Sequence, residues 1–467
     1  MVFSTPVFLF CFLTLTLIMY YLVPRKFRNV VLFVMSMVFY FWGERIYAII
    51  MIISTIVDFT HGMIVSKCKE HGKMRGAKLA VASSMIINLG ILFFFKYWDF
   101  IAESLQSVGV TFIPKLDIHL PIGISFYTFQ TMSYTIDVYR GDTRAQRNIL
   151  NFGTYVTLFP QLIAGPIIKY KDLGDQIDER TCTADRFASG VITFVIGLSK
   201  KLIIANNVGQ LWETVKLAEV SELTVAGAWL GAIAYTLQIY FDFSGYSDMA
   251  VGLGRMFGFE FIENFNYPYI SKSITEFWRR WHISLSTWFK EYLYIPLGGN
   301  RGSKLKWFRN ILIVWAATGL WHGASWNFLM WGLYFAVLLI LEKQFLLKLL
   351  KKLPSFVQHI YTMFFVIIGW VIFGIEDFAK MRDYLGALFG IGTKGAIDTI
   401  TVYRASNYMF MLPIAVIASI PLSRKLFEKL PERAANVVRP VLVIMGLLIC
   451  TAYLVAGTYN PFLYFRF

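Results

Sequence analysis

Cysteine, histidine and charge are all scarce in this 467-residue chain, and each scarcity removes a class of function. The four cysteines, Cys11, Cys68, Cys182 and Cys450, show no C-x-x-C spacing, which argues against a disulfide framework or a metal site. Charged residues make up 16% and hydrophobic residues 57%, far from the balance of a soluble domain. No G-x-S-x-G elbow follows an apolar strand pattern, so a serine-hydrolase reading gains no support. No glycine-rich turn carries the lysine-serine/threonine ending of a Walker-type phosphate loop.

What is present instead is apolar length. Runs able to span about 30 Å of hydrocarbon lie at 5–23, 29–43, 46–60, 79–97, 119–138, 149–168, 187–205, 223–243, 309–323, 325–345, 357–376, 407–422 and 437–457. Some are short or broken, so the expectation is an all-α polytopic membrane protein with about eleven crossings, the remainder being re-entrant or tilted pieces. The whole chain, 1–467, reads as one integral-membrane domain with its motif-rich core at about 120–345.

The net charge of +15 does not make a stripe for nucleic acid, because lysines and arginines sit in short connections between apolar runs. Arg25, Lys26 and Arg28 follow the first run; Lys67, Lys69, Lys73, Arg75 and Lys78 follow a hairpin; Arg140, Arg144 and Arg147 come two crossings later. The positive-inside rule places all three loops in the cytoplasm and the N-terminus outside, in a multi-pass protein of the cytoplasmic membrane. The intervening loop at 98–118, with Asp99, Glu103 and Asp117, suits an external position. The first run lacks a basic n-region and an A-x-A-like site, so it reads as a retained helix. Gly197-Leu-Ser-Lys-Lys201 ends a run with cations and reads as ordinary anchoring.

Two stretches carry chemistry: Glu276-Phe-Trp-Arg-Arg-Trp-His282 and Thr318-Gly-Leu-Trp-His-Gly-Ala324. Ionisable groups are costly at membrane depth, so a histidine there is a functional candidate by default, and its pKa near 6.5 suits proton exchange. His61, His71, His119 and His359 read as solvated or interfacial. The spacing predicts one amphipathic helix over 274–292, with Ile274, Phe277, Trp278, Trp281, Leu285 and Trp288 on one arc. His282 projects about 40° from Trp278, at the edge of that arc, where it faces a polar cavity or rests at the headgroups. Tyr294-Ile-Pro-Leu-Gly-Gly-Asn-Arg301 reads as a helix end and a glycine turn. Arg301, Lys304, Lys306 and Arg309 bind phosphates of a cytosolic donor or serve only as positive-inside charge. His322 closes an apolar run one turn beyond Thr318; flanking Gly319 and Gly323 leave room for a substrate or for another helix. Tyr240-Phe-Asp-Phe-Ser-Gly-Tyr-Ser-Asp248 ends a further run, where Asp242 and Asp248 orient a histidine or line a polar path, or Ser244 and Asp248 cap a helix. The prolines of Phe159-Pro-Gln-Leu-Ile-Ala-Gly-Pro166 predict a broken segment.

These motifs, together with Asn264-Phe-Asn-Tyr-Pro-Tyr and the opening Val2-Phe-Ser-Thr-Pro-Val-Phe-Leu-Phe, occur in an order that resembles the membrane-bound O-acyltransferase family, in its bacterial alginate O-acetyltransferase branch. The resemblance covers nearly the whole chain. It implies a ring of helices around a central cavity, with His322 as the active-site residue and His282 assisting or facing the donor. Asp242, Ser244, Tyr246 and Asp248 would line the cavity, and Trp281, Trp321, Arg279 and Arg280 join them as candidates. The related D-alanyl transfer protein of teichoic acid modification shares the histidine pair.

The expected function is therefore transfer of an acetyl group from a cytosolic thioester, acetyl-CoA, through the membrane to an exported or cell-wall polysaccharide. His322 would act as general base or carry the group as an acyl-imidazole, with oxyanion donors from backbone amides near Gly319 or from Trp321. No permanently bound cofactor is expected, and the implied partner is an extracytoplasmic protein of the SGNH-esterase type. D-alanyl transfer from a carrier-protein thioester is one alternative. A proton-coupled transporter or flippase of a lipid-linked sugar is another, but the halves before 258 and after 310 show no inverted repeat. A non-catalytic membrane scaffold would leave the histidine pair without a purpose.

Overall fold

A computed structural model describes residues 2–457 and 459–461. Among these residues the secondary structure is helical, with no strand. Among the described residues five helices are long and apolar enough to cross a membrane: Ala48–Glu70, Met74–Ser107, Ala184–Lys216, Ser355–Gly374 and Glu432–Val455. Thr399–Asn407 and Met411–Ala418, bent by 59°, make a sixth if they form one crossing. Length and composition alone therefore do not confirm the expected count of about eleven, because several apolar runs are interrupted. Ile149–Thr157 stops at Leu158, Phe159–Leu162 adds one turn, and the next helix begins only at Tyr170. This is the broken segment that Pro160 and Pro166 imply.

The chain divides into two compact units, Met1–Phe194 with Ser247–Ile262, and Val195–Tyr246 with Glu263–Phe467. In the first, Ala48–Glu70 packs against Met74–Leu92 and Ile124–Arg140. Asp58 is fully buried there, a costly position for a carboxylate unless donors surround it. Ser84 Oγ donates to Asp58 Oδ1 at 2.5 Å, and Asn88 Nδ2 donates to Oδ2 at 2.8 Å. Ser84 also meets Thr135 Oγ1 at 3.2 Å, so one polar cluster ties together all three helices and fixes their rotation. Lys69 Nζ donates to the carbonyls of Val138 and Tyr139, which closes the C-terminal end of Ile124–Arg140.

Two expectations are corrected by the structure. The helix Val225–Met256 runs through the Tyr240–Asp248 cluster instead of ending there. A Cβ on Gly245 would lie 2.7 Å from the Gly197 carbonyl oxygen, so the bare glycine backbone is what lets the two segments pack. Ser244 and Asp248 are interior helix positions and cap no terminus. Lys201 likewise does not anchor a span end: helix continues to Lys216, and Lys201 is 2% exposed.

The helix Lys304–His322 lies against Trp326–Leu341, which in turn packs on Ser355–Gly374. Ser303 opens the first of these by accepting from the Lys306 N–H. Asn327 Nδ2 joins the other two by donating to the Phe373 carbonyl at 3.1 Å. Before this hairpin, Gly298 and Gly299 take φ of +106° and +55°, the turn that the glycine pair predicts.

Candidate functional site

The first histidine is held by a break between two short helices. Ser273 Oγ accepts from the Glu276 N–H at 3.0 Å and starts Ile274–Arg280. The buried Glu342 carboxylate accepts from the N–H groups of Ile274 and Thr275 at 2.7 and 2.8 Å, placing negative charge where a helix start leaves unpaired N–H groups. Trp281 and His282 leave the helix, His282 at φ +45°, and helix resumes over Ile283–Phe289. The single helix expected over 274–292 is therefore interrupted.

Asn264 is the reason. Its backbone carbonyl accepts from the Ile283 N–H at 3.0 Å, and the Asn266 N–H donates to the Arg280 carbonyl at 2.9 Å. The Asn264 side-chain Oδ1 accepts from the Ser284 N–H at 3.1 Å and from Ser284 Oγ at 2.9 Å. These bonds replace the missing helical ladder and offset a left-handed residue's cost, of order 1–3 kcal/mol. His282 is fully buried, its ring 4.7 Å from Phe243. Removal of the ring from water lowers its pKa from the usual 6.5 to about 3, so it is neutral.

The second histidine ends Lys304–His322 and is 2% exposed. Trp321, Trp331 and Phe373 surround its ring at centroid distances of 5.0, 5.1 and 5.3 Å. The space beside Gly319 is taken by protein: a Cβ there would collide with the Phe328 carbonyl oxygen, and one on Gly332 with that of Trp315. Of the two expectations for these glycines, close helix packing is the one that the structure realises. The rings of His282 and His322 lie edge to face, 6.4 Å apart between centroids at an interplanar angle of 63°.

A cavity of about 420 Å³ opens beside His282, with Thr318 also in its wall, and His322 is not among the residues that line it. Arg279, Lys290 and Lys343 also line it, and none of the three has an ion-pair partner among the described residues. Arg301, Lys304, Lys306 and Arg309 do not line it; Arg309 donates to Asn310 Oδ1 at 2.9 Å. Arg280 is committed to Glu276 at 2.9 Å and to the Asn266 carbonyl. Trp281 packs on Trp370 at 4.6 Å, while Trp321 lies 5.9 Å from His282.

The acidic cluster is distributed differently from the expectation. Asp242 pairs with Lys201 Nζ at 2.5 Å, each 2% exposed, and Asn206 Oδ1 also accepts from that ammonium. Phe243 is the residue of that segment whose ring meets His282. Ser244 and Tyr246 are buried on the same helix, and Asp248 belongs to the first unit. His61, His71, His119 and His359 are exposed or half-buried. Asn264, Ser284, Lys201 and Glu342 had no assigned place at the site from sequence. The motif Asn264-Phe-Asn-Tyr-Pro-Tyr was the available signal for the first of them.

Comparison with known proteins gives a consistent result. The profile of MBOAT, the membrane-bound O-acyltransferase family, matches residues 10–381. A protein of Azotobacter vinelandii named "Probable alginate O-acetylase AlgI" is 44% identical over 396 residues, covering 84% of this chain and 79% of its own. The peptidoglycan O-acetyltransferase of Helicobacter pylori is 31% identical over 427 residues, covering 84% of this chain and 80% of its own. The teichoic acid D-alanyltransferase of Bacillus subtilis is 27% identical over 335 residues, covering 68% and 83% respectively.

Proposed function

Because this chain belongs to the membrane-bound O-acyltransferase family, we propose that this membrane enzyme moves an acetyl group from cytosolic acetyl-CoA through the membrane, for O-acetylation of an exported or cell-wall polysaccharide. The observation that carries the reading is a pair of buried histidine rings 6.4 Å apart, one of which, His282, lines a cavity together with Arg279, Lys290 and Lys343. Three cations without carboxylate partners among the described residues suit a donor that carries phosphates. A thioester is already activated, so the protein must position a hydroxyl, remove its proton and steady the oxyanion. His322 serves as base toward that hydroxyl or carries the acyl group as an acyl-imidazole, and His282 works on the donor side. A cavity walled by Trp278, Trp315 and Leu339 strengthens these polar contacts by excluding water.

The relatives named for alginate and peptidoglycan O-acetylation support acetyl as the group and a polysaccharide as the acceptor. An extracytoplasmic partner of the SGNH-esterase type completes the transfer to sugar, and the protein sits in the cytoplasmic membrane with its N-terminus outside. The D-alanyltransferase relative motivates the second reading, a D-alanyl group from a carrier-protein thioester. Protein reconstituted in vesicles with radiolabelled acetyl-CoA and an acceptor should release free CoA, and the His322→Ala variant should not. Full acetylation by His322→Ala would overturn the assignment of that residue. Turnover of a D-alanyl thioester in place of acetyl-CoA would select the second reading.

A further inference from the structure

Asn264 does more than hold the helix break open. Its Oδ1 faces three groups: the Ser284 backbone N–H at 3.1 Å, the Ser284 hydroxyl at 2.9 Å and His282 Nδ1 at 3.2 Å. A backbone N–H can only donate, so the atom it meets is the amide oxygen and not the amide nitrogen. An amide oxygen can only accept, and the Ser284 hydroxyl, 3.5 Å from His282 Nδ1, already gives its hydrogen to Oδ1 at 2.9 Å, so the His282 nitrogen that meets Oδ1 carries the proton. A neutral imidazole has one N–H, and His282 Nε2 is therefore left with its lone pair. That nitrogen is buried and has no hydrogen-bond partner among the described residues.

Resting on the acyl-transfer reading above, we propose that Asn264 is the positioning residue of the histidine pair: it locks His282 with Nδ1 protonated and so makes Nε2 the proton acceptor. When the His322 imidazole bonds to the acyl carbon, its proton moves to His282 Nε2. The carbon–sulfur bond breaks, and the proton passes to the departing thiolate to give the free thiol. The rings that face His282 are Phe243, Phe265, Trp321 and His322, so His322 is the titratable group against it. Arg279, Lys290 and Lys343 are the charged groups of the adjoining cavity.

Two substitutions separate positioning from bulk structure. Asn264→Leu removes the acceptor and frees the ring to exchange tautomers; kcat for CoA release should fall about 100-fold with KM for acetyl-CoA unchanged. Asn264→Asp keeps the acceptor and adds a negative charge, so activity should stay within a few-fold of the parent while the acid limb of the kcat–pH profile moves to higher pH. A parental kcat for Asn264→Leu, or the same loss in both variants, would overturn the proposal. A measurement independent of turnover is nitrogen-15 NMR of histidine-labelled protein in lipid, with the His282 signal identified by its loss in His282→Gln. A protonated Nδ1 and bare Nε2 are expected, and a protonated Nε2 overturns the proposal whether or not Asn264→Leu folds. Failure to turn over acetyl-CoA would reject the donor reading instead, and the NMR result would still decide this one.

Discussion

The imidazole of His282 lies 6.4 Å from that of His322, centroid to centroid, although one sits at a helix break and the other at the end of a separate helix. Their surroundings differ, and so should their substitutions. His322→Ala should abolish CoA release. His282→Ala should leave a measurable remnant, since one general base contributes typically about 10²–10⁴-fold. Single-turnover assays at saturating donor check the inequality, and equal residual rates would contradict it.

The three cations of the cavity wall should act on binding more than on chemistry. Arg279→Ala with Lys343→Ala should raise KM for acetyl-CoA at least about tenfold while kcat stays near the parent value, the pattern of lost uniform binding. Raised salt should mimic the double variant by screening. Initial-rate kinetics at two ionic strengths supply the test, and an unchanged KM would remove the phosphate-binding assignment.

Lys201 and Asp242 form a buried pair at 2.5 Å. Removing one partner of a buried pair typically costs about 3–5 kcal/mol. Lys201→Met alone should therefore lower the thermal midpoint of detergent-solubilised protein markedly, and Lys201→Met with Asp242→Leu should recover much of the loss. A double variant no better than the single one would show that the pair is held by other contacts.

Burial holds the His282 pKa at about 3 against an ordinary 6.5, and the sign of the consequence is fixed. Between those values the unfolded chain binds a proton that the folded protein excludes, so stability falls as pH drops from 6.5 toward 3. Above 6.5 this residue contributes no slope. Comparing melting midpoints of the parent and His282→Gln across that range isolates the contribution: the parent should lose stability faster on acidification.

Gly319 and Gly90 make a matched comparison. A methyl group on Gly319 would strike the Phe328 backbone, whereas one on Gly90 meets nothing within 4 Å. Gly319→Ala should destabilise, because a carbonyl cannot move aside. Gly90→Ala should be neutral or stabilising by about 0.5–1 kcal/mol through helix propensity. Thermal midpoints of the two variants in one detergent decide the matter.

Much of the site's composition was legible because local rules govern it. The Trp-His stretches stood out against apolar sequence, Pro160 and Pro166 marked a broken segment, and Gly298-Gly299 marked a turn that only positive φ can make. The failures share a cause. The 274–292 stretch has a helical hydrophobic period, and nothing local opposes it; the interruption comes from Asn264 and Asn266, which supply hydrogen bonds from outside the helix. Lys201 looked like a span-end cation until a carboxylate distant in sequence turned out to neutralise it. Gly319 left room for a substrate or for another helix, and the Phe328 backbone decides for the helix.

The sequence alone determined that this is a helical membrane protein of the O-acyltransferase family, because hydrocarbon demands long apolar runs and motif order is written along the chain. Only the tertiary structure decided which partners the polar groups take. Asn264 fixes the tautomer of His282, Lys201 claims Asp242, Glu342 caps the helix before the break, and three cations with no ion-pair partner among the described residues gather at one cavity. Periodicity reports a residue's direction within its own helix, whereas a hydrogen bond or an ion pair is a distance between helices, and that distance exists only once the helices have packed.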